Sequence, residues 1–556
     1  MKKLSIVLAI CMLSVMMLSA CSGKDSSNGS EDNSAADQTS DQGTDTSASG
    51  PVEISLQVPQ GPDTDYATNK FTKLVEDKLN IKIDWVIAPM DAATEKRQLA
   101  LSSGDYPTAF ISQTWIDQFT PSDLMKLGKQ GVLVPLNDLI DQYAPNIKKN
   151  LTDKPEVKAA LTAPDGNIYG LSAINECYHC SFGSKMWINQ VWLDKLNLEM
   201  PKTTEDFKKV LEAFKNDDPN GNGKKDEVPL SGANGSAGMR VTTFLMNAFI
   251  YNDDANYLEM NNGKVDLAAM QPQWKEGLKY IASLYKEGLI DPGAFTQNGD
   301  AYYQLGNHAD VSMIGAAAAM HPAIFINLGA NPLQKDYQPV PPLTGPQGVS
   351  LATYGQSISG FNFVVTSKAN KEQQIALIKL ADYLATEEGT TLETMGEEGV
   401  NWKKADATDI GLDGNPAAYA TIQRESKPDD KPLNNAWGEI GPFVKTKEYR
   451  ASWGSPMDTL TPAGYERRLF NATQLYDGHQ PKEVFPSVVY MDETTNTEAS
   501  LLQTNIKKYV EENMLQFITG AKDIDSSWDS YISGFKNLKV DRLMELYQQA
   551  LDNMKK

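Results

Sequence analysis

Apolar and polar positions alternate in Val52-Glu53-Ile54-Ser55-Leu56-Gln57-Val58, the period of a strand with one face buried. Phe71, Leu74, Val75 and Leu79 then recur at helical spacing, which predicts an amphipathic helix. Ile81-Lys82-Ile83-Asp84-Trp85-Val86 reads as a second strand. A helix is expected to end over 99–101, and Gly104-Asp105-Tyr106-Pro107 turns the chain into Ala109-Phe110-Ile111-Ser112. Strand, helix, strand, helix, strand predicts a mostly parallel α/β sheet. Ligands of such sheets bind beyond the carboxyl ends of the strands, which singles out Gln113, Thr114 and Trp115.

A break is expected at Gly166-Asn167-Ile168-Tyr169-Gly170-Leu171. Residues 185–193 read as strand passing into helix, and Thr203-Thr204-Glu205-Asp206 carries a capping pattern. Trp274, Leu278, Ile281 and Tyr285 form one helical face that ends at Gly288-Leu289-Ile290-Asp291-Pro292. Short strands are predicted over 311–314 and 361–365, and a mainly helical chain from 375 onward. There Leu502, Ile506, Tyr509, Val510, Met514 and Phe517 make one stripe, and Val540, Leu543, Met544, Tyr547 and Leu551 another.

The first residues follow a different logic. Lys2 and Lys3 precede an apolar run over 4–18, then Leu18-Ser19-Ala20-Cys21. Charges, a short apolar core and small residues before a cleavage point make a secretory signal over 1–20. The run is shorter than the ~18 residues of a membrane span. A cysteine after Leu-Ser-Ala resembles the bacterial lipoprotein signal, which implies lipidation at Cys21 and an anchored protein on the outer face of the cell membrane. Residues 21–50 hold no apolar side chain larger than alanine after Cys21. Such a segment cannot bury enough surface to offset its ordering entropy and predicts a flexible tether of roughly 30 Å reach.

The roughly 500 residues beyond the tether exceed the usual limit of a single core, so at least two lobes are expected. The net charge of −21 disfavours nucleic acid, whose phosphates are bound by lysine and arginine. It also opposes contact with anionic headgroups, leaving membrane attachment to the lipid. Beyond Cys11 and Cys21 only Cys177 and Cys180 remain, in Cys177-Tyr178-His179-Cys180. A disulfide framework or a four-ligand zinc site would need more; one close-spaced disulfide or two free thiols remains.

Asp218-Pro219-Asn220-Gly221-Asn222-Gly223-Lys224-Lys225-Asp226-Glu227 places oxygen side chains at alternate positions, as a calcium loop does. Asp218, Asn220, Asn222 and Asp226 would offer side-chain oxygens and Lys224 its carbonyl. Pro229 stands where the EF-hand has its bidentate glutamate, so Glu227 must supply the last carboxylate. No nucleophile-like residue lies nearby, so calcium would be structural.

Several segments together resemble extracellular solute-binding proteins of ABC transporters, in particular the large sugar-binding lipoproteins of Gram-positive bacteria. They are Trp187-Ile188-Asn189 with Trp192-Leu193-Asp194-Lys195-Leu196, the loop ending Asp226-Glu227-Val228-Pro229-Leu230, Gly288-Leu289-Ile290-Asp291-Pro292, Pro341-Pro342-Leu343-Thr344-Gly345-Pro346, Gly396-Glu397-Glu398-Gly399-Val400 and Phe517-Ile518-Thr519-Gly520. In related alginate-oligosaccharide binders the loop holds calcium. The resemblance implies an α/β fold with two lobes of the periplasmic-binding-protein type (type II), a hinge and helical C-terminal additions. Crossings are placed near Tyr169, Gly306 and Phe361. The lobes would then be 51–168 with 306–361, and 169–305 with 362–556, the second carrying the calcium loop.

Sugar rings pack their C–H faces on aromatics and need hydrogen-bond partners for their hydroxyls. Trp85, Trp192, Trp274 and Trp528 fall on strand or helix faces and read as core. Trp115, Trp402, Trp437 and Trp453 lie in loop-like contexts and are candidate binding residues, with Tyr178, Tyr354, Gln113 and Glu176. The expected function is capture of an oligosaccharide by a monomer and its delivery to membrane permeases, with no bond broken and no catalytic residue. The alternatives are a peptide or small-solute binder on the same scaffold, and a secreted glycoside-active enzyme, which would need paired carboxylates across a cleft.

Overall fold

The computed structural model describes residues 50–308, 311–355, 358, 360–424 and 431–554. The signal, Cys21 and nearly all of the tether lie outside them. In chain order the strands are β1 (Val52–Gln60), β2 (Ile81–Pro89), β3 (Ala109–Ile111), β4 (Ile174–Asn175), β5 (Met186–Asn189), β6 (Val228–Ser231), β7 (Leu258–Asn261), β8 (Lys264–Leu267), β9 (Ile314–Ala318), β10 (Tyr337–Val340), β11 (Phe363–Val365), β12 (Trp402–Lys404), β13 (Tyr419–Thr421) and β14 (Val444–Lys445).

Two four-stranded sheets organise two lobes. The first has the order β11-β3-β1-β2, with β1 parallel to β2 and β3, and β11 antiparallel at the edge. The helix Lys70–Leu79 crosses from β1 to β2, as the spacing of Phe71 and Val75 requires, and Asn69 caps it by accepting the Phe71 N–H. Ile54, Leu56, Val58, Phe110 and Val364 fill the core of this lobe with Leu377, Leu380 and Leu384 of the helix Lys371–Leu384. The second sheet has the order β10-β5-β9-β6. Met186 and Ile188 of β5 point into a large core, and Trp187 between them points into a smaller one on the opposite face. The helices Glu493–Ile518, Ile524–Asn537 and Val540–Met554 close the large core through Phe517, Tyr531, Phe535 and Leu543.

The chain passes between lobes at places the sequence located only in part. One crossing runs from Ile174, in the first core, to Phe182, in the second. Another runs from Ala352 to Ile358, and a third from Val444 to Leu469. The first and third lie side by side, because β4 and β14 pair in parallel, Val444 opposite Ile174. The expected crossing near Gly306 is absent from its place. Gly306 ends the helix Gly299–Gly306 deep in the second lobe, where a Cβ would meet the Phe325 carbonyl.

The division of the lobes is corrected accordingly. Residues 306–361, assigned to the first lobe, carry β9 and β10 of the second sheet; residues 362–445, assigned to the second lobe, carry β11 and Trp437 of the first. The strand expected over 311–314 is centred instead on Ile314–Ala318, a buried alanine run whose burial, not its intrinsic preference, makes it strand. The helical expectation from 375 onward fails over roughly 400–424 and 431–464, whose described residues are loop with β12–β14 and one short helix, Lys447–Ala451.

Candidate functional site

β3 ends at Ile111 and the chain turns at once. The Gln113 side chain is buried, its amide donates to the Gly438 carbonyl (3.1 Å), and its Oε1 has no partner. Trp115 two residues on is 59% exposed. The turn is held from beneath by a buried ion pair, Arg97 Nε to Asp117 Oδ1 at 2.8 Å, with the guanidinium over the Phe119 ring at 4.2 Å. Asp117 has φ 58°, a left-handed conformation that costs a non-glycine residue about 1–2 kcal/mol and that this pair secures.

Opposite Gln113 runs the segment 438–441. Glu439 also has a positive φ, 66°, and is fixed on three sides. Gln113 holds Gly438; the Ile440 N–H donates to the Glu393 carboxylate (2.6 Å); the Glu439 carboxylate meets Lys445 Nζ at 2.5 Å. Glu393 is fully buried with its second oxygen unpartnered, and burial pushes its carboxyl up to about 8. Backbone strain held this firmly marks a place where geometry matters more than local stability.

Glu176, Tyr178 and Tyr354 share one cavity of about 280 Å³, lined also by Phe182, Lys447, Asp477 and Gln480. Tyr178 donates to Asp477 (2.6 Å), and burial together with that carboxylate pushes its phenol up. The Tyr354 ring packs edge-on against Phe182 at 5.2 Å. Glu176 is already engaged: one carboxylate oxygen pairs with Lys154 and the other accepts the Lys447 N–H (2.9 Å). A second cavity, about 220 Å³, holds Trp453 with Lys445, Tyr449, Arg450 and Glu466. Lys445 joins these places. It pairs with Glu439, lines the Trp453 cavity, and its carbonyl accepts the Glu176 N–H (2.9 Å).

Two candidates do not belong to this surface. Trp437 is 1% exposed and packs edge-on to Phe71 (4.8 Å) and Trp85 (5.4 Å), its indole donating to Thr72 (2.9 Å); it is core. Trp402 is 7% exposed, donates to the Gly396 carbonyl (2.8 Å), and packs under Tyr419 and Trp453. It supports Trp453 and is not itself presented. Sequence reasoning passed over Glu439 and Lys185. Lys185 is buried at the start of the second sheet, donates to the carbonyls of His179 and Phe182, and is lowered to about 7 by burial. Glu439 was signalled only by the glycines at 438 and 441.

The loop after the helix Thr204–Asn216 folds as a chain of side-chain turns. Asp218, at φ 48°, accepts from the N–H groups of Gly221 (3.1 Å) and Gly223 (3.0 Å); Asn220 accepts from Asn222, and Asn222 from Lys224. The amides of Asn220 and Asn222 both converge on the Asp226 carboxylate (3.1 and 3.0 Å) and hold it below its ordinary range. Glu227 Oε1 is buried without a partner. Burial first, and the Asp218 charge beside it, push that carboxyl up. Crowded carboxylates with an orphaned inward oxygen, in a donor set of hard oxygens, fit a divalent cation such as calcium. Asp218, Asn220, Asn222, Lys224, Asp226 and Glu227 are the residues that would hold it.

Among the described residues no helix is long and apolar enough to cross a membrane. The chain is 41% identical over 310 residues to the fructooligosaccharide ABC transporter substrate-binding protein FusA of Streptococcus pneumoniae, a stretch covering 54% of this chain and 55% of that protein. The match therefore spans about half of that relative's length. The structure of FusA with kestose superposes at a TM-score of 0.71, 29% identical, over 90% of this chain and 99% of that one; a FusA EF-hand mutant with fructo-nystose gives 0.70. A solute-binding protein of Bifidobacterium longum infantis, described as HMO-binding, superposes at 0.75 with 22% identity, over 91% of this chain and all of the other; at that identity it shows the shared two-lobed fold. The family model of the bacterial extracellular solute-binding protein matches residues 61–391. With that match over more than half its length, and two sheeted lobes joined by paired crossing strands, the chain belongs to the bacterial extracellular solute-binding proteins.

Proposed function

We propose that this protein captures a short oligosaccharide of the fructan class between its lobes and hands it, chemically unchanged, to the permeases of an ABC importer. The observation that carries the reading is the turn after β3: an exposed tryptophan face, Trp115, beside an unpartnered buried acceptor, Gln113 Oε1. A flat apolar face next to a fixed polar atom is what a sugar ring requires. The likeness to FusA supports the ligand class. Tyr178, Tyr354 and Trp453 would supply further ring contacts, with Glu439 and Asp477 as hydroxyl acceptors. Closure is driven by contacts that only the closed state makes, and the β4–β14 pair is the natural place for the bend.

Calcium in the 218–227 loop would be structural, locking the segment that leads into β6. The EF-hand named for FusA supports this. Lipidation of Cys21 would hold the monomer at the outer face of the cell membrane, and the tether would let it sample the importer. Isothermal titration with kestose, nystose, a peptide mixture and unrelated glycans tests the reading. Heat on adding the fructans, with the sugars recovered intact, supports it. Binding to peptides alone, or shortened sugars, would replace it with a peptide binder or a glycoside-active enzyme.

A further inference from the structure

Cys177 and Cys180 form a disulfide across the single turn Tyr178–Ser181, within the crossing that links Ile174 of one core to Phe182 of the other. The proposed capture of a sugar leaves this bond without a part. Its two cysteines differ. Cys177 is 3% exposed, whereas Cys180 lies at the surface. The Cys177 sulfur accepts the Cys180 backbone N–H (3.3 Å), and His179 Nε2 stands 3.6 Å from it. The other ring nitrogen, Nδ1, faces Glu466 Oε1 at 3.1 Å. A carboxylate only accepts, so it fixes the proton on Nδ1 and aims Nε2 at the sulfur. Although burial alone would raise it, the Glu466 carboxyl is held below its ordinary range by His179 and by Arg450, 3.6 Å away. Glu466 comes from the helix Tyr465–Gln474 of the second lobe.

Carboxylate, imidazole and sulfur in line are the arrangement that stabilises a thiolate. A structural disulfide needs none of it. We propose that Cys177–Cys180 is a reactive disulfide that exchanges with low-molecular-weight thiols at Cys180, with Cys177 as the leaving sulfur and His179 and Glu466 as its positioning residues. An incoming thiolate attacks the sulfur of the surface residue Cys180. The new S–S bond forms there, the Cys177–Cys180 bond breaks, and its electron pair remains on Cys177 as a thiolate. The proton given up by the incoming thiol passes through His179 Nε2 to that sulfur, while Glu466 goes on accepting from Nδ1. A second thiol of the reductant then displaces Cys180 from the mixed disulfide. Two thiols are oxidised to one disulfide and two cysteines are reduced.

The consequence lies in Tyr178, which sits between the cysteines, packs tilted against Phe470 (ring centroids 5.0 Å apart) and lines the cavity with Tyr354. Opening the bond frees that turn, so exchange would loosen one wall of the cavity and the crossing strand beside it.

The test contains no sugar, so its outcome is independent of the ligand reading. The purified full-length protein is incubated with reduced glutathione, digested and mapped by mass spectrometry. The expected result is a glutathione adduct on Cys180 and a free Cys177. The rate of adduct formation is then measured for His179→Asn and Glu466→Gln. A poorer leaving sulfur should slow exchange by about tenfold in the first variant and less in the second. After reduction, hydrogen exchange should rise over 174–182 and stay unchanged across the β1–β3 sheet. An adduct on Cys177, no adduct at millimolar glutathione, or a His179→Asn rate equal to wild type overturns the proposal. Should His179→Asn fail to fold, the position of the adduct on the wild-type protein still decides.

Discussion

Replacing Trp437 with phenylalanine separates a core tryptophan from a displayed one. The indole is 1% exposed, lies edge-on to Phe71 and Trp85, and donates its one N–H to Thr72. Phenylalanine keeps the six-membered ring and loses the hydrogen bond, a net cost of about 1 kcal/mol. The smaller ring leaves a gap with no atoms to fill it, costing about another 1 kcal/mol. In a lobe of this size each kcal/mol moves the melting temperature by roughly 2–4 °C, so Trp437→Phe should melt about 4–8 °C lower. The affinity for kestose should stay within about twofold, because the ring touches only the first core. Trp115→Ala is the converse. Its ring is 59% exposed, so stability should hardly change, whereas loss of a stacking face of about 1–2 kcal/mol should weaken binding roughly five- to thirtyfold. Differential scanning fluorimetry and isothermal titration on both variants give the four numbers. If Trp437→Phe abolishes binding at an unchanged melting temperature, or Trp115→Ala binds as wild type, the assignment of the two rings is wrong.

Three further outcomes are expected. A calcium chelator should lower the melting temperature of the wild-type protein, and calcium at a hundred times its dissociation constant should restore about 2.7 kcal/mol; Asp226→Asn together with Glu227→Gln should remove the response, as read by calorimetry. Arg97→Met leaves Asp117 buried and unpaired and should cost about 3–5 kcal/mol in urea denaturation, weakening kestose binding as the Trp115 turn is freed. Glu393 holds its proton in the folded state up to about 8, whereas the unfolded carboxyl loses it near ~4.3. The unfolded state therefore binds fewer protons between these values, and stability should fall as pH rises through that window and level off above it. Glu393→Gln should flatten this slope, and a wild-type slope that survives the substitution would refute the account.

Much of the first lobe was legible because its signals are local. Alternation in 52–58, helical spacing from Phe71, and the Gly-Asp-Tyr-Pro turn into β3 each specify one element, and the sheet places them. The capping pattern at Thr203 likewise forms, Thr203 and Asp206 bonding reciprocally. What failed depends on partners distant in sequence. The alanine run of β9 has no strand preference of its own and becomes strand because it is buried between β5 and β6. The region over 400–464 contains no long apolar run, so nothing local set it apart from the helices that flank it. For the site, loop context exposed Trp115 and buried Trp437, since glycines and asparagines mark a turn without saying which way a ring faces. Gln113 and Gly438 meet only because β3 and a segment more than three hundred residues later share one edge. The calcium-type loop was readable because all its oxygens lie within one turn.

Strand β11 closes the first sheet from the far side of the second lobe: Thr366 donates to the Pro107 carbonyl across a separation of 259 residues. A chain emerging N-terminus first cannot finish its leading half until nearly the whole of the trailing insertion has appeared. The second sheet, whose strands all lie within that insertion, is free to assemble earlier. Such long-range closure is slow and leaves apolar edges uncovered meanwhile. For an exported protein that delay is useful, because a chain that cannot complete its native state during synthesis remains threadable through a translocation channel. Refolding after dilution from urea should accordingly show β5, β6, β9 and β10 acquiring protection before the pairing of β3 with β11 does.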